Sequence, residues 1–367
     1  MNRKNQLTVC LMLLVNIFSF AQVRDNMLAT RQLPQQHVIQ PKAISLDEKY
    51  VDIIDYLPKG YMKDGSKDYT AVIQNVLDKN KNVRFPNFAL LINEKGLTIH
   101  SNSKLFFEKG SQLWMIPNSQ ERYEILRLHN VSNIKLIGPT LKGDREKHKD
   151  DKGEWGMGIS IRGNSSDIEI YNANISNCWG DGIYIGHLKQ ITPKNIKITN
   201  STIDKAYRNG ISITCGNNIE VADVVIMNSN YNGIKIEPSN SAAILKKIVF
   251  KNVTTFNNYD SGISVGGLSK LIGIGGRQLE LEVINHTDDS SKIGMFFGLV
   301  SVRSESKNPL GGYIKIVNPK WSNNKEGGFI KRKFYKNVPN IEFLKVDNSL
   351  KKSILETHIK DKELFFK

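Results

Sequence analysis

Cysteine is almost missing from this 367-residue chain. Of three, Cys10 falls in an N-terminal apolar run, and Cys178 and Cys215 take different places in their repeats, so no disulfide is expected and both read as small buried hydrophobes. Zinc-type Cys/His spacing is absent, and nothing in the sequence calls for a cofactor or a metal. Aromatic residues make up 8% and are not interleaved with basic ones, which argues against nucleic acid as a partner. After residues 7–20 no run is long and apolar enough to cross a bilayer, so no transmembrane segment is expected.

Acidic residues are the minority. Lys and Arg number 51 against 36 Asp and Glu, a net charge of +15. Such a surplus suits an acidic partner, a uronic-acid or sulfated polysaccharide in particular, although solvated lysines that guard sheet edges explain the same count. Arg3 and Lys4, the apolar run and Ser19-Phe-Ala21 read as an export signal over residues 1–21, followed by an extended arm over 22–47. Export places the protein outside the cytoplasm, in the periplasm, at the cell surface or in the medium.

What is abundant is one glycine phrase. It reads Gly158-Ile-Ser-Ile161, Gly182-Ile-Tyr-Ile185, Gly210-Ile-Ser-Ile213, Gly233-Ile-Lys-Ile236 and Gly262-Ile-Ser-Val265, in steps of 24, 28, 23 and 29 residues. The step fits one turn of a solenoid, and the alternation within each phrase fits a short strand with one buried face. About ten residues later comes a second strand signal, Asp167-Ile-Glu-Ile170, Asn195-Ile-Lys-Ile198, Asn218-Ile-Glu-Val221 and Lys247-Ile-Val-Phe250, preceded by Asn133-Ile-Lys-Leu136. Two or more strands per turn with Asn, Ser and Gly corners predict an all-β, single-stranded parallel β-helix over residues 48–345, with 346–367 as a C-terminal cap or tail. After Gly267 the period fades, residues 325–336 read as a basic loop, and an amphipathic helix over 69–77, capped by Asp68, covers the N-terminal end.

The segments Asp64-Gly65, Asp68-Tyr-Thr-Ala-Val-Ile-Gln74 and Val83-Arg-Phe-Pro86 together resemble the N-terminal part of the pectin-lyase-like right-handed parallel β-helix superfamily. That superfamily includes polygalacturonase-type hydrolases, pectate-lyase-type enzymes and phage tailspikes, and the likeness extends over about residues 50–267. It implies the fold, and an action on or binding of polysaccharide. The paired acids of a polygalacturonase-like site are not matched: Asp181 stands in the Asp-Gly context, but the next turn offers Arg208-Asn209 and the Gly-His-Gly position holds Tyr231-Asn-Gly233. Glycoside hydrolysis ordinarily needs two carboxyl groups, so the hydrolase mechanism does not carry over.

The outward column Ser160, Tyr184, Ser212, Lys235, Ser264 is where chemistry is expected. A uronate lyase needs a cation beside the carboxylate, a base near neutral pKa and an acid for the leaving oxygen. Arg162 or Arg208 suits the first, Lys235 or His187 the second and Tyr184 the third, with Asp181 either catalytic or a corner cap. Trp155 and Trp179 are candidates for stacking on sugar rings, Glu237 for a substrate contact or an ion pair with Lys235. The charged segment 143–155, with Asp144, Arg145 and Glu154, is expected to arch over the start of the column, while His100 and His129 read as structural residues without partners. The expected function is cleavage of an acidic polysaccharide or oligosaccharide, by β-elimination ahead of hydrolysis, with a glycoside hydrolase of polygalacturonase-related type and a non-catalytic binder or adhesin as the alternatives.

Overall fold

A computed structural model describes residues 31–40, 49–298, 308–332, 338–358 and 364–367. The expected export signal and most of the arm lie outside these residues. The described chain winds as a right-handed parallel β-helix. Nine strands, from Leu97–Thr98 to Gly327–Lys331, form a front sheet that contains every glycine phrase, and all its pairings are parallel. The other two faces join as one 20-stranded sheet because strands Lys194–Asp204 and Gly216–Met227 run through the bend between them.

Each phrase sends its aliphatics inward. Ile159, Ile183, Ile211, Ile234 and Ile263 form one ladder and Ile161, Ile185, Ile213, Ile236 and Val265 a second, none more than 1% exposed. At roughly 2 kcal/mol for a buried isoleucine, this ladder is a main source of stability. The glycines have a separate reason. A Cβ on Gly182 would stand 2.7 Å from the carbonyl oxygen of Gly210, one on Gly210 2.8 Å from that of Gly233, and one on Gly233 2.6 Å from that of Gly262. Successive turns therefore touch backbone to backbone at this point, beneath inward side chains such as Ile203 and Ile226.

That contact corrects the expectation that the period fades. Gly262 meets Gly294 and Gly294 meets Gly328 in the same way, so the ladder continues with steps of 32 and 34 residues. The longer turns hide the repeat, one of them carrying a 3-10 turn at Leu268–Lys270. For the same reason the expected basic loop at 325–336 contains the strand Gly327–Lys331, whose Phe329 faces the core; residues 333–337 lie outside the described ones.

Asparagine makes the corners. Asn133, Asp167, Asn195, Asn218 and Lys247, the residues that open the second strand signal, all have φ between 51° and 60°. Their side chains also stack, Asn195 Nδ2 donating to Asp167 Oδ1 at 2.8 Å and Asn218 Nδ2 to Asn195 Oδ1 at 2.9 Å. Another corner repeats the pattern through Asp223, Asn252, Asn285 and Asn318. Asparagine thus supplies both the left-handed backbone and a turn-to-turn amide ladder.

Helices close both ends. Thr70–Lys79 covers the first coil with Ile73, Val76 and Leu77 buried, and Asp68 Oδ1 accepts the Thr70 N–H at 2.8 Å, one residue outside the geometric cap Tyr69. At the other end Asp347 caps the helix Asn348–Thr357, and Leu364–Phe366 pairs with Ile341–Phe343 as the last rung. Cys178 and Cys215 are buried free thiols, and burial pushes the Cys215 thiol up to about 11.

Candidate functional site

Parallel registration turns the phrase's variable position into a straight column on the outer face of the front sheet. In order it reads Arg127, Ser160, Tyr184, Ser212, Lys235, Ser264, Phe296 and Ile330. Serines alternate with longer side chains, so the small residues become floor and are buried by their neighbours. Beside this column lies a polar ladder, Asp181, Asn209, Asn232, Ser261, in which each side chain bonds the next turn. Arg208, Tyr231 and Asp260 follow one another by backbone hydrogen bonds along the adjoining edge and form a wall.

At the C-terminal half these elements enclose an open recess of about 240 Å³. Lys235, Ser264 and Phe296 of the column line its floor, Asp260, Lys292 and Glu326 come from one edge of the sheet, and Arg332 from the other. Lys235 Nζ donates to Ser264 Oγ at 3.0 Å. Burial pushes its ammonium below the ordinary lysine range, Glu237 and Asp260 pull the other way, and Arg208 adds to the lowering. Glu326 is held by Lys292 at 3.0 Å and Arg332 at 3.7 Å.

The N-terminal half is built around Glu124. It is 6% exposed, yet Arg127 Nε lies 2.6 Å, His129 Nε2 3.3 Å and Arg162 Nε 3.7 Å from its oxygens. Burial raises its carboxyl, but the hydrogen bonds and charges of His129 and Arg127 outweigh this and hold it at about 2. The guanidinium of Arg162 lies 4.3 Å above the Tyr184 ring, and its Nε donates to Ser160 Oγ at 2.9 Å.

The structure brings Lys235, Arg208, Glu237 and Asp260 close enough to influence one charge, and places Arg162 and Tyr184 on the same face, three and two rungs from Lys235 respectively. The Tyr184 hydroxyl bonds Thr214 Oγ1 at 3.1 Å. Glu154 reaches Arg208 at 3.3 Å, and Trp155, half-buried, stacks under the guanidinium of Arg122. Asp181 is sealed: Oδ1 accepts from the backbone N–H and side chain of Asn209, Oδ2 has no hydrogen-bond partner, and burial raises its carboxyl above the usual range against the pull of Arg208.

Four expected site residues point elsewhere. Asp144 is 3% exposed and accepts from Tyr123, Asn118 and His148, while Arg145 donates to Asn230 and Ala206, so the charged segment braces a corner instead of arching over the column. Trp179 is buried in a stack between His148 and Tyr207, with ring centroids 4.2 Å apart on both sides. His187 has both ring nitrogens engaged, by Ser239 at 2.8 Å and Asn240 at 3.2 Å, and has no lone pair to offer the groove. Conversely, His129 has partners in Glu124 and Ser160, and His100 in Asp78. Glu124, Arg127, Asp260, Lys292, Phe296, Glu326 and Arg332 were invisible as site residues, the last four because their turns hid the glycine phrase. Among the described residues no group of His, Cys, Asp and Glu could hold a metal ion.

Comparison with known proteins matches this architecture. The family described as a right handed beta helix region matches residues 80–247 and 157–275. An uncharacterized prophage-derived protein of Bacillus subtilis, YorA, is 33% identical over 97 residues, which cover 24% of this chain and only 16% of that protein. Among solved structures, PfbA, a surface adhesin of Streptococcus pneumoniae, aligns with a TM-score of 0.61 at 13% identity, covering 82% of this chain and 79% of that one. Polygalacturonase from Erwinia carotovora aligns with a TM-score of 0.57 at 16% identity, covering 78% and 84%. At such identities the likeness to both structures is one of fold.

Proposed function

This chain belongs to the right-handed β-helix family, and from that premise we propose that it binds an acidic polysaccharide along the front sheet and cleaves it by β-elimination at Lys235. The observation that carries this reading is the recess itself. Three cations, Lys235, Lys292 and Arg332, outnumber the two acids, Asp260 and Glu326, along its lining, and burial depresses the pKa of the one on the floor. A polygalacturonase and an adhesin among the structural neighbours are consistent with a carbohydrate ligand at a cell surface or outside it.

The chemistry follows from the groups in place. Lys292, Arg332 and Arg208 offset the substrate carboxylate and so acidify the proton at C5. Lys235, as neutral amine, takes that proton; C4 and C5 gain a double bond, and the C4–O pair leaves with the departing sugar, whose oxygen takes a proton from water in the open recess. Hydrolysis is less well served, because Glu326 is already engaged by two cations and Asp181 is sealed. Elimination should accelerate with rising pH as Lys235 loses its proton, with an apparent ionisation below that of an ordinary lysine.

The test is a panel of uronic-acid polymers monitored for the ultraviolet absorbance of an unsaturated uronate. The expected result is new absorbance in the native protein and at least a ~100-fold loss of turnover in Lys235→Ala. Reducing ends without absorbance would replace elimination by hydrolysis, and binding without either product would leave an adhesin-like binder.

A further inference from the structure

Two cationic centres sit on one face, and only the one at Lys235 is used above. The second is the guanidinium of Arg162. Its surroundings fix it in place: the Tyr184 ring lies beneath it at 4.3 Å, Ser160 Oγ accepts from Nε at 2.9 Å, and the charge of Glu124 stands 3.7 Å from Nε. Neither terminal nitrogen has a hydrogen-bond partner among the described residues, whereas neighbouring Arg127 spends all three nitrogens on Glu124, Thr98 and Lys95. Arg162 therefore presents a held, planar, unfilled fork, the geometry that accepts a carboxylate through two parallel hydrogen bonds.

Register gives the spacing. The Arg162 head rests on Tyr184, and Tyr184 is followed by Ser212 and then Lys235, two rungs further on. At the usual separation of paired strands that is on the order of 10 Å. The small, buried Ser212 keeps the floor between the two centres low.

We infer that Arg162 is a second carboxylate-binding position that makes the groove selective for uronate chains long enough to bridge Tyr184 and Lys235. The inference rests on the acidic-polysaccharide reading and deepens it. A disaccharide occupies one centre; a longer chain lays one carboxylate on the Arg162 fork while another sits in the recess. Tyr184 is then a positioning residue, holding the fork flat.

Titration calorimetry with galacturonate, mannuronate and glucuronate oligosaccharides, each as disaccharide and hexasaccharide, tests this on the full chain and on Arg162→Ala and Arg162→Lys. The expected result is that the native protein prefers the hexasaccharide, that Arg162→Ala weakens hexasaccharide binding about ten-fold and leaves the disaccharide unchanged, and that Arg162→Lys falls between because it keeps charge and loses the fork. A methyl-esterified hexasaccharide should bind native and Arg162→Ala protein alike, which a merely structural effect of the substitution would not produce. Hexasaccharide affinity unchanged in Arg162→Ala overturns the inference while the functional reading stands. Failure of every oligosaccharide to bind the native protein overturns both.

Discussion

The front sheet and the second sheet are made by the same coils, yet they treat charge in opposite ways. On the second sheet the exposed column runs Lys135, Glu169, Lys197, Glu220, and the ions alternate and pair across turns, Lys135 with Glu169 and Lys197 with Glu220, both at 3.4 Å. On the front sheet serines separate the long side chains, Lys235, Lys292 and Arg332 gather around only two acids, Asp260 and Glu326, and the Glu124 carboxylate is buried against Arg127 and Arg162. Pairing on the second sheet satisfies the charge locally and leaves nothing for a ligand. The front-sheet recess keeps one positive charge beyond what its two acids offset, an excess that an anion would balance. A surplus of lysine in the composition is therefore two things at once, a solvated ladder of pairs on one face and a small cationic excess in a recess on another.

Substitutions can break this contrast. The largest effect is expected from Gly210→Ala, where the new Cβ would stand 2.1 Å from Ile226 Cγ2 and 2.8 Å from a backbone oxygen that cannot move aside. Soluble folded protein should be lost, whereas Thr199→Ala on the outer face of the second sheet should leave the circular dichroism and melting curve of the native protein; a folded Gly210→Ala would show that the backbone ladder is not needed. Next in size is Glu124→Gln, which strands the guanidinium groups of Arg127 and Arg162 and should cost about 3 kcal/mol in denaturant unfolding. Glu220→Gln, whose ion pair is about half exposed, should cost less than about 1 kcal/mol. Equal losses would mean that the two sheets do not differ in the way described.

The same residue predicts a pH effect. The Glu124 carboxyl is held at about 2 in the fold, against an ordinary value of 4.5. Its contribution is thus present above pH 4.5 and lost as pH falls towards 2. The native protein should lose stability over that window and Glu124→Gln should lack this part of the loss, read from melting temperatures across the acid range. Smallest of all, Lys197→Ala should change neither stability nor polysaccharide binding beyond about 0.5 kcal/mol. A marked loss of binding would move the anion site off the front sheet.

Much of the coil was readable without coordinates. Ser160, Tyr184, Ser212, Lys235 and Ser264 do align in one column, because a Gly-Ile-x-Ile phrase carries its own inward and outward faces and its glycine locks the register to the next turn. Legibility ended where a turn grew. Gly294 and Gly328 stand in the same ladder, but at steps of 32 and 34 residues their phrases no longer looked alike, and Lys292, Phe296, Glu326 and Arg332 went unseen with them. Trp179 and Asp144 failed for a different reason: proximity in sequence to the column says nothing about which side of a corner a side chain turns to.

What the sequence determined by itself is what one turn can encode: an alternating strand, a left-handed asparagine at the corner, a glycine where backbones touch. Those are local preferences, read within a coil regardless of what lies above or below it. Which charges meet was decided only by the stacked structure. Glu124 and Arg162, or Lys235, Asp260 and Arg332, come from different turns of unequal length, and their encounter depends on the register between coils, a quantity that no single turn contains.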